Sequence, residues 1–97
     1  MDYVDTNSIR TASMAFGQAA FDCENQLRNV DSTMQHLLSA WEGSAQVTFR
    51  NAYEAWKKDI EAYIVLNYLI GGELDRMTRV FEQYNHEVRA ALSAANG

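Results

Sequence analysis

Between two long stretches of helix-period apolar residues the chain has one plausible break, Trp41-Glu42-Gly43, and no proline occurs anywhere in its 97 residues. Proline would interrupt a helix by removing an amide donor and clashing with the preceding turn, so its absence leaves glycine as the strongest punctuation. Gly43 can take the left-handed conformation that ends a helix, and Ser44 follows with an oxygen suited to capping the next. Trp41 places the largest apolar side chain at the corner. The pattern predicts an all-α antiparallel helix-turn-helix hairpin in one domain, residues 1–97: helix one about 7–40, a turn over 41–44 and helix two about 45–92.

In the first half, Ile9, Ala12, Phe16, Ala19, Cys23, Leu27, Val30, Met34, Leu37 and Trp41 recur at steps of three and four, the seam of a helix on a near-parallel neighbour. Asp5, Thr6, Asn7 and Ser8 are candidate caps at its start. The second half reads Phe49, Ala52, Trp56, Ile60, Tyr63, Ile70, Leu74, Met77, Phe81, Tyr84, Val88 and Leu92, with polar Asn67 where a seam residue is due. The spacing leaves two places for Asn67, buried as a register-setting residue or exposed on a rotated helix. Around it, Ile64, Val65, Leu66, Tyr68 and Leu69 make the helix apolar on more than one face, which calls for two neighbours. Tyr53, Ile60, Ile64 and Tyr68 are the candidates for part of an intersubunit surface. Gly71-Gly72 predicts a weak point, although the apolar phase resumes at Leu74. The small, polar end from Ser93 to Gly97 predicts fraying.

A lone two-helix hairpin has little core for its surface, and the single cysteine, Cys23, excludes an intrachain disulfide. Pairing with a second chain is the expected remedy. The net charge of −5 weighs against nucleic acid, which requires a basic patch. The acidic opening, Met1-Asp2-Tyr3-Val4-Asp5, lacks the pattern of a secretory leader, and the apolar run from Tyr63 to Ile70 is far short of a bilayer span. On these grounds alone the chain reads as cytoplasmic. His36 and His86 lie on different helices, no cysteine–histidine spacing suits a metal, and no glycine-rich loop follows a strand. A rod offers no pocket to hold reactive groups, so neither an enzyme nor a cofactor is expected.

A central Trp41-x-Gly43 between two amphipathic helices of this length resembles the WXG family of small secreted proteins, of the early secreted antigenic target type. Ser44-Ala45, the following Phe49, Tyr53 and Trp56, and the segment Ile70-Gly71-Gly72-Glu73-Leu74 are similar to the same regions of relatives. The resemblance implies a hairpin that pairs with a second into a four-helix bundle, as a homodimer or as a heterodimer with a paralogue or a larger helical toxin domain. It also implies export without a cleaved leader by a type VII secretion system and its FtsK/SpoIIIE-type ATPase, from a Gram-positive or mycobacterial-type cell. That replaces the cytoplasmic reading with a secreted, virulence-associated one.

Relatives carry an export signal in which the turn of one chain lies near a Tyr-x-x-x-Asp/Glu motif in the tail of its partner. Here Tyr84 falls at the tyrosine, but Val88 stands where the acid belongs, and the nearest carboxylate is Glu87. A one-residue shift moves a side chain about 100° around the helix. Tyr84 and Glu87 are therefore a variant motif, or the missing half is supplied by another chain. Two other functions stay open beside secretion cargo: membrane perturbation after export through the apolar faces, and a structural bundle unrelated to secretion.

Overall fold

The computed structural model describes residues 4–96 as two antiparallel helices, α1 (Thr6–Ser39) and α2 (Ser44–Asn96), in a rod of 81 × 17 × 12 Å. Asp5 caps α1, its carboxylate accepting from the Ser8 amide at 3.1 Å and the Ser8 hydroxyl at 2.6 Å. Those two bonds hold the Asp5 carboxyl below the usual range, the hydroxyl contributing most. α2 is continuous across Gly71-Gly72 and runs through Asn96, past the expected end near 92.

Gly43 serves the bend differently from the expectation. α1 ends three residues before it with Ala40 in right-handed geometry, so Gly43 does not cap α1. Its φ of +102° lies instead at the entry to α2, where its carbonyl accepts from the Val47 amide at 3.4 Å. Ser44 is the first residue of α2 rather than its cap.

The seam between the helices matches the expected one at Ile60, Asn67, Leu74, Phe81 and Val88 and departs from it elsewhere. On α2 it follows Tyr53, Lys57, Ile60, Ile64, Asn67, Gly71, Leu74, Thr78, Phe81, Asn85 and Val88, again at steps of four and three, and every one is buried or half-buried. Phe49, Ala52, Trp56, Tyr63, Tyr84 and Leu92, expected on that seam, are exposed. The cause is the wide apolar arc of α2, which holds two parallel lines of seven-residue spacing, so periodicity alone does not say which one meets α1. On α1 the buried line passes through Ala20 and Leu38, leaving Val30 and Leu37 exposed.

Small and polar residues explain the choice. Gly71 is buried where the helices lie close together: a Cβ built on it would stand 3.2 Å from the Ser13 carbonyl oxygen and 3.4 Å from the Gly17 nitrogen. The Ser13 hydroxyl donates to the Gly71 carbonyl at 2.8 Å. Asn67 and Thr78, both buried, donate one turn back to the Tyr63 and Leu74 carbonyls. Asn67 thus takes the buried of its two expected places, bonded locally at no cost in unpaired groups.

The two glycines of α2 should respond oppositely to added bulk. Gly72 has open space around its Cβ position, so Gly72→Ala is expected to stabilise the chain by up to about 1 kcal/mol through helix propensity. Gly71→Ala gains the same propensity but presses on the α1 backbone, and Gly71→Leu must force the helices apart. Thermal unfolding followed by circular dichroism should rank Gly72→Ala above wild type and Gly71→Leu well below it.

Candidate functional site: the bend, the tail and two unlike faces

At the bend, Trp41 is half-buried with its ring 5.6 Å from Phe49, tilted by 43°. Beneath it the carbonyl of the fully buried Leu38 accepts from the Trp41 amide at 3.4 Å and from the Gln46 side chain at 2.9 Å. Gln46 therefore ties the start of α2 to the end of α1 and satisfies a carbonyl that a helix terminus would leave open. Trp41 and Gly43 occupy one compact corner.

Tyr84 and Glu87 stand at the other end of the rod. Forty residues of helix from Ser44 to Tyr84 correspond to about 60 Å at 1.5 Å per residue. The bend and the tail are not brought together within one chain. Tyr84 and Glu87 are exposed, and Glu87 accepts from Gln83 at 3.3 Å. Between them Asn85 turns inward. Its amide oxygen accepts from the Val4 amide at 3.0 Å, and its amide nitrogen donates to the Val4 carbonyl at 2.8 Å.

The long sides of the rod differ in chemistry. One is charged: Glu24, Arg28, Asp31, Lys57 and Glu61 rim an open hollow of about 390 Å³ floored by Leu27, Ile64 and Val65. Here Tyr53 donates to Asp31 at 2.7 Å, Lys57 reaches the same oxygen at 3.1 Å, and Tyr68 donates to Glu24 at 3.0 Å. The Tyr53 hydroxyl first and the Lys57 ammonium second hold the Asp31 carboxyl below its ordinary value. Burial, then the Asp31 acceptor, pushes Tyr53 up to about 12.

The other side is apolar. Phe49, Trp56, Tyr63, Ile70, Met77 and Tyr84 recur at an unbroken interval of seven along α2. A hollow of about 160 Å³ on this side is lined by Cys23, Gln26, Leu27, Val30, Trp56 and Ile60. Trp56 is 43% exposed and Tyr63 52%, although both are large rings.

Of the four residues expected to meet a second chain, Tyr53 and Ile64 are 7% and 6% exposed and pack within the hairpin, so they have little surface to offer a partner. Ile60 is half-buried, and Tyr68 is exposed but on the charged side beside Glu24. Sequence reasoning missed the line from Phe49 to Tyr84 as an outward face because it was assigned to the seam. Its strict seven-residue spacing was the available signal, since that period belongs to a coiled-coil neighbour.

Among the described residues no group of histidine, cysteine or acidic side chains is arranged to hold a metal, and no helix is long and apolar enough to cross a membrane. What the geometry defines is a WXG-type helical hairpin: two long helices, a tryptophan–glycine corner and uncovered apolar residues along its length. The family model WXG100, proteins of 100 residues with WXG, matches residues 3–92, and the chain belongs to that family. No curated protein and no solved structure gives a significant match. Membership supports a type VII secretion substrate, in a family of secreted helical proteins not known as enzymes and associated with WXG-type partners.

The Asp31 link sets a pH dependence with a definite sign. Its carboxyl is depressed in the folded chain, so the stabilisation is present above the unfolded value near 4 and is lost as pH falls through the folded one. Tyr53 is raised, so its contribution is present below about 10 and is lost as pH rises through about 12. Urea midpoints measured across pH should fall at both ends in wild type. Asp31→Asn is expected to be less stable near neutrality with a flatter acid limb, and Tyr53→Phe to have a flatter alkaline limb.

Proposed function

We propose that the chain is a type VII secretion cargo that leaves the cell folded and paired, with its apolar side covered by a second WXG-type hairpin in a four-helix bundle. The uncovered line from Phe49 to Tyr84 carries this reading. Exposed aromatic rings at a coiled-coil interval are what a helix partner removes from water, and a lone hairpin with few buried side chains needs that burial. The partner is a copy of this chain, a paralogue or the helical domain of a larger toxin.

Antiparallel pairing would set the bend of each chain beside the tail of the other. Trp41 and Gly43 would then be read by the secretion ATPase together with Tyr84 and Glu87 of the opposite protomer. The separation of about 60 Å within one chain favours such a composite signal, because only the assembled pair would present its two halves side by side. Glu87 is the nearest carboxylate to Tyr84 on the C-terminal side and takes the acidic role in this scheme.

The expected result is accumulation in the culture supernatant that disappears when the secretion ATPase is deleted, with the cytosolic level maintained. Retention in the cytosol under secreting conditions would refute the proposal. Trp41→Ala removes the ring against Phe49 without touching the face from Trp56 to Tyr84. It should abolish export while pairing persists. Gly43→Ala should in addition cost about 1–2 kcal/mol of stability, since a Cβ is strained at positive φ.

A further inference from the structure

We infer that Asn85 is a positioning residue for export: by clasping Val4 it orders the last packed turn of α2 and holds Tyr84 and Glu87 outward for the secretion machinery. This rests on the composite signal proposed above and adds the residue that shapes its tail half.

The turn that carries Tyr84 and Glu87 lies at the limit of the packing within the hairpin. α1 begins at Thr6, and Val88, 3% exposed, is the last buried side chain of α2; every described residue from Arg89 to Asn96 is exposed. A helix end of this kind frays unless something ties it. Arg10 pairs with Glu82 nearby, but both side chains are almost half exposed, and such pairs contribute little. The half-buried Asn85 is the firmer tie. Its amide oxygen accepts from the Val4 amide at 3.0 Å, and its amide nitrogen donates to the Val4 carbonyl at 2.8 Å.

Helix formation alone does not account for asparagine here, because its side chain competes with the backbone and its propensity is below that of leucine or alanine. The clasp does account for it. A primary amide sets an acceptor beside a donor, matching the N–H and C=O of one residue; a carboxylate lacks the donor, and an aliphatic side chain lacks both.

The clasp also sets the phase of the tail. Side chains advance about 100° per residue, so an inward Asn85 places Tyr84 about 100° and Glu87 about 160° away, on the same side. Both are exposed there. A motif already ordered loses less conformational freedom on recognition than one that must be ordered on contact.

Two substitutions break the clasp from opposite ends. Asn85→Leu keeps the size of the side chain and raises helix propensity, while Val4→Pro deletes the amide hydrogen without touching α2. Both should retain wild-type pairing by light scattering and wild-type helicity by circular dichroism. Amides over residues 84–92 should exchange with deuterium roughly fivefold faster, and export to the culture supernatant should fall by about as much. The double variant should be no worse than either single one, since both remove one contact. A residue needed only for helix stability would tolerate leucine, so lost export from a stable Asn85→Leu chain is the distinguishing result.

Wild-type export of Asn85→Leu overturns the inference whatever the exchange rates. So does lost export in Asn85→Leu beside normal export of Val4→Pro, since Asn85 would then be read directly. Tyr84→Ala exported at the wild-type level, with exchange over 84–92 still slow, would instead refute the part of the tail in the composite signal.

Discussion

Two helices lying side by side can each turn only one narrow strip toward the other, and everything else in this chain follows from which strip is used. Here it is the strip that permits close approach. Gly71 sits against the Ser13 carbonyl without a Cβ between them, and this contact fixes the phase of α2 along its length. Large rings on that line would hold the backbones apart. The chain keeps most of its rings off it, and the strip mixes Gly71, Asn67 and Thr78 with Tyr53, Ile64 and Val88.

Polar links therefore span the seam from end to end. Asn85 holds Val4, Arg10 pairs with Glu82, Ser13 reaches Gly71, Glu24 meets Tyr68, Asp31 gathers Tyr53 and Lys57, and Gln46 returns to Leu38. Partly exposed links of this kind contribute modestly to stability but fix geometry well, because each must meet a particular partner. The apolar residues they displace are not wasted. Large side chains such as Trp56, Tyr63 and Tyr84 lie outside the seam and stay exposed on the single hairpin.

The hairpin itself was legible in the sequence. A proline-free chain with helical period on both sides of Trp41-Glu42-Gly43 admits little else, and the break lies where those residues put it. The rotational phase of α2 was not legible. The lines beginning at Phe49 and Tyr53 both repeat every seven residues, and the expected seam drew on both, joining Trp56, Tyr63 and Tyr84 of the first to Ile60, Leu74, Phe81 and Val88 of the second. Which line is buried depends on how near the backbones come, a property of the pair Gly71 and Ser13, which lie 58 residues apart. The link from Asp31 to Tyr53 and Lys57 was hidden for the same reason, since charge patterns within a helix reveal neighbours only three or four residues away. Position 43 shows a subtler limit: a glycine beside a bend announces positive φ without saying which of the two helices it serves.

The clasp between Asn85 and Val4 joins the backbone ahead of α1 to the side of α2. Both atoms of the Asn85 amide engage one peptide unit, so the backbone at Val4 is anchored to the turn of α2 that lies between Tyr84 and Glu87. Val4 therefore lies beside Tyr84 and Glu87, far from Trp41. The ends of this rod are thus chemically unequal: one holds the short bend between the helices, and toward the other the backbone ahead of α1 is bound to the side of α2.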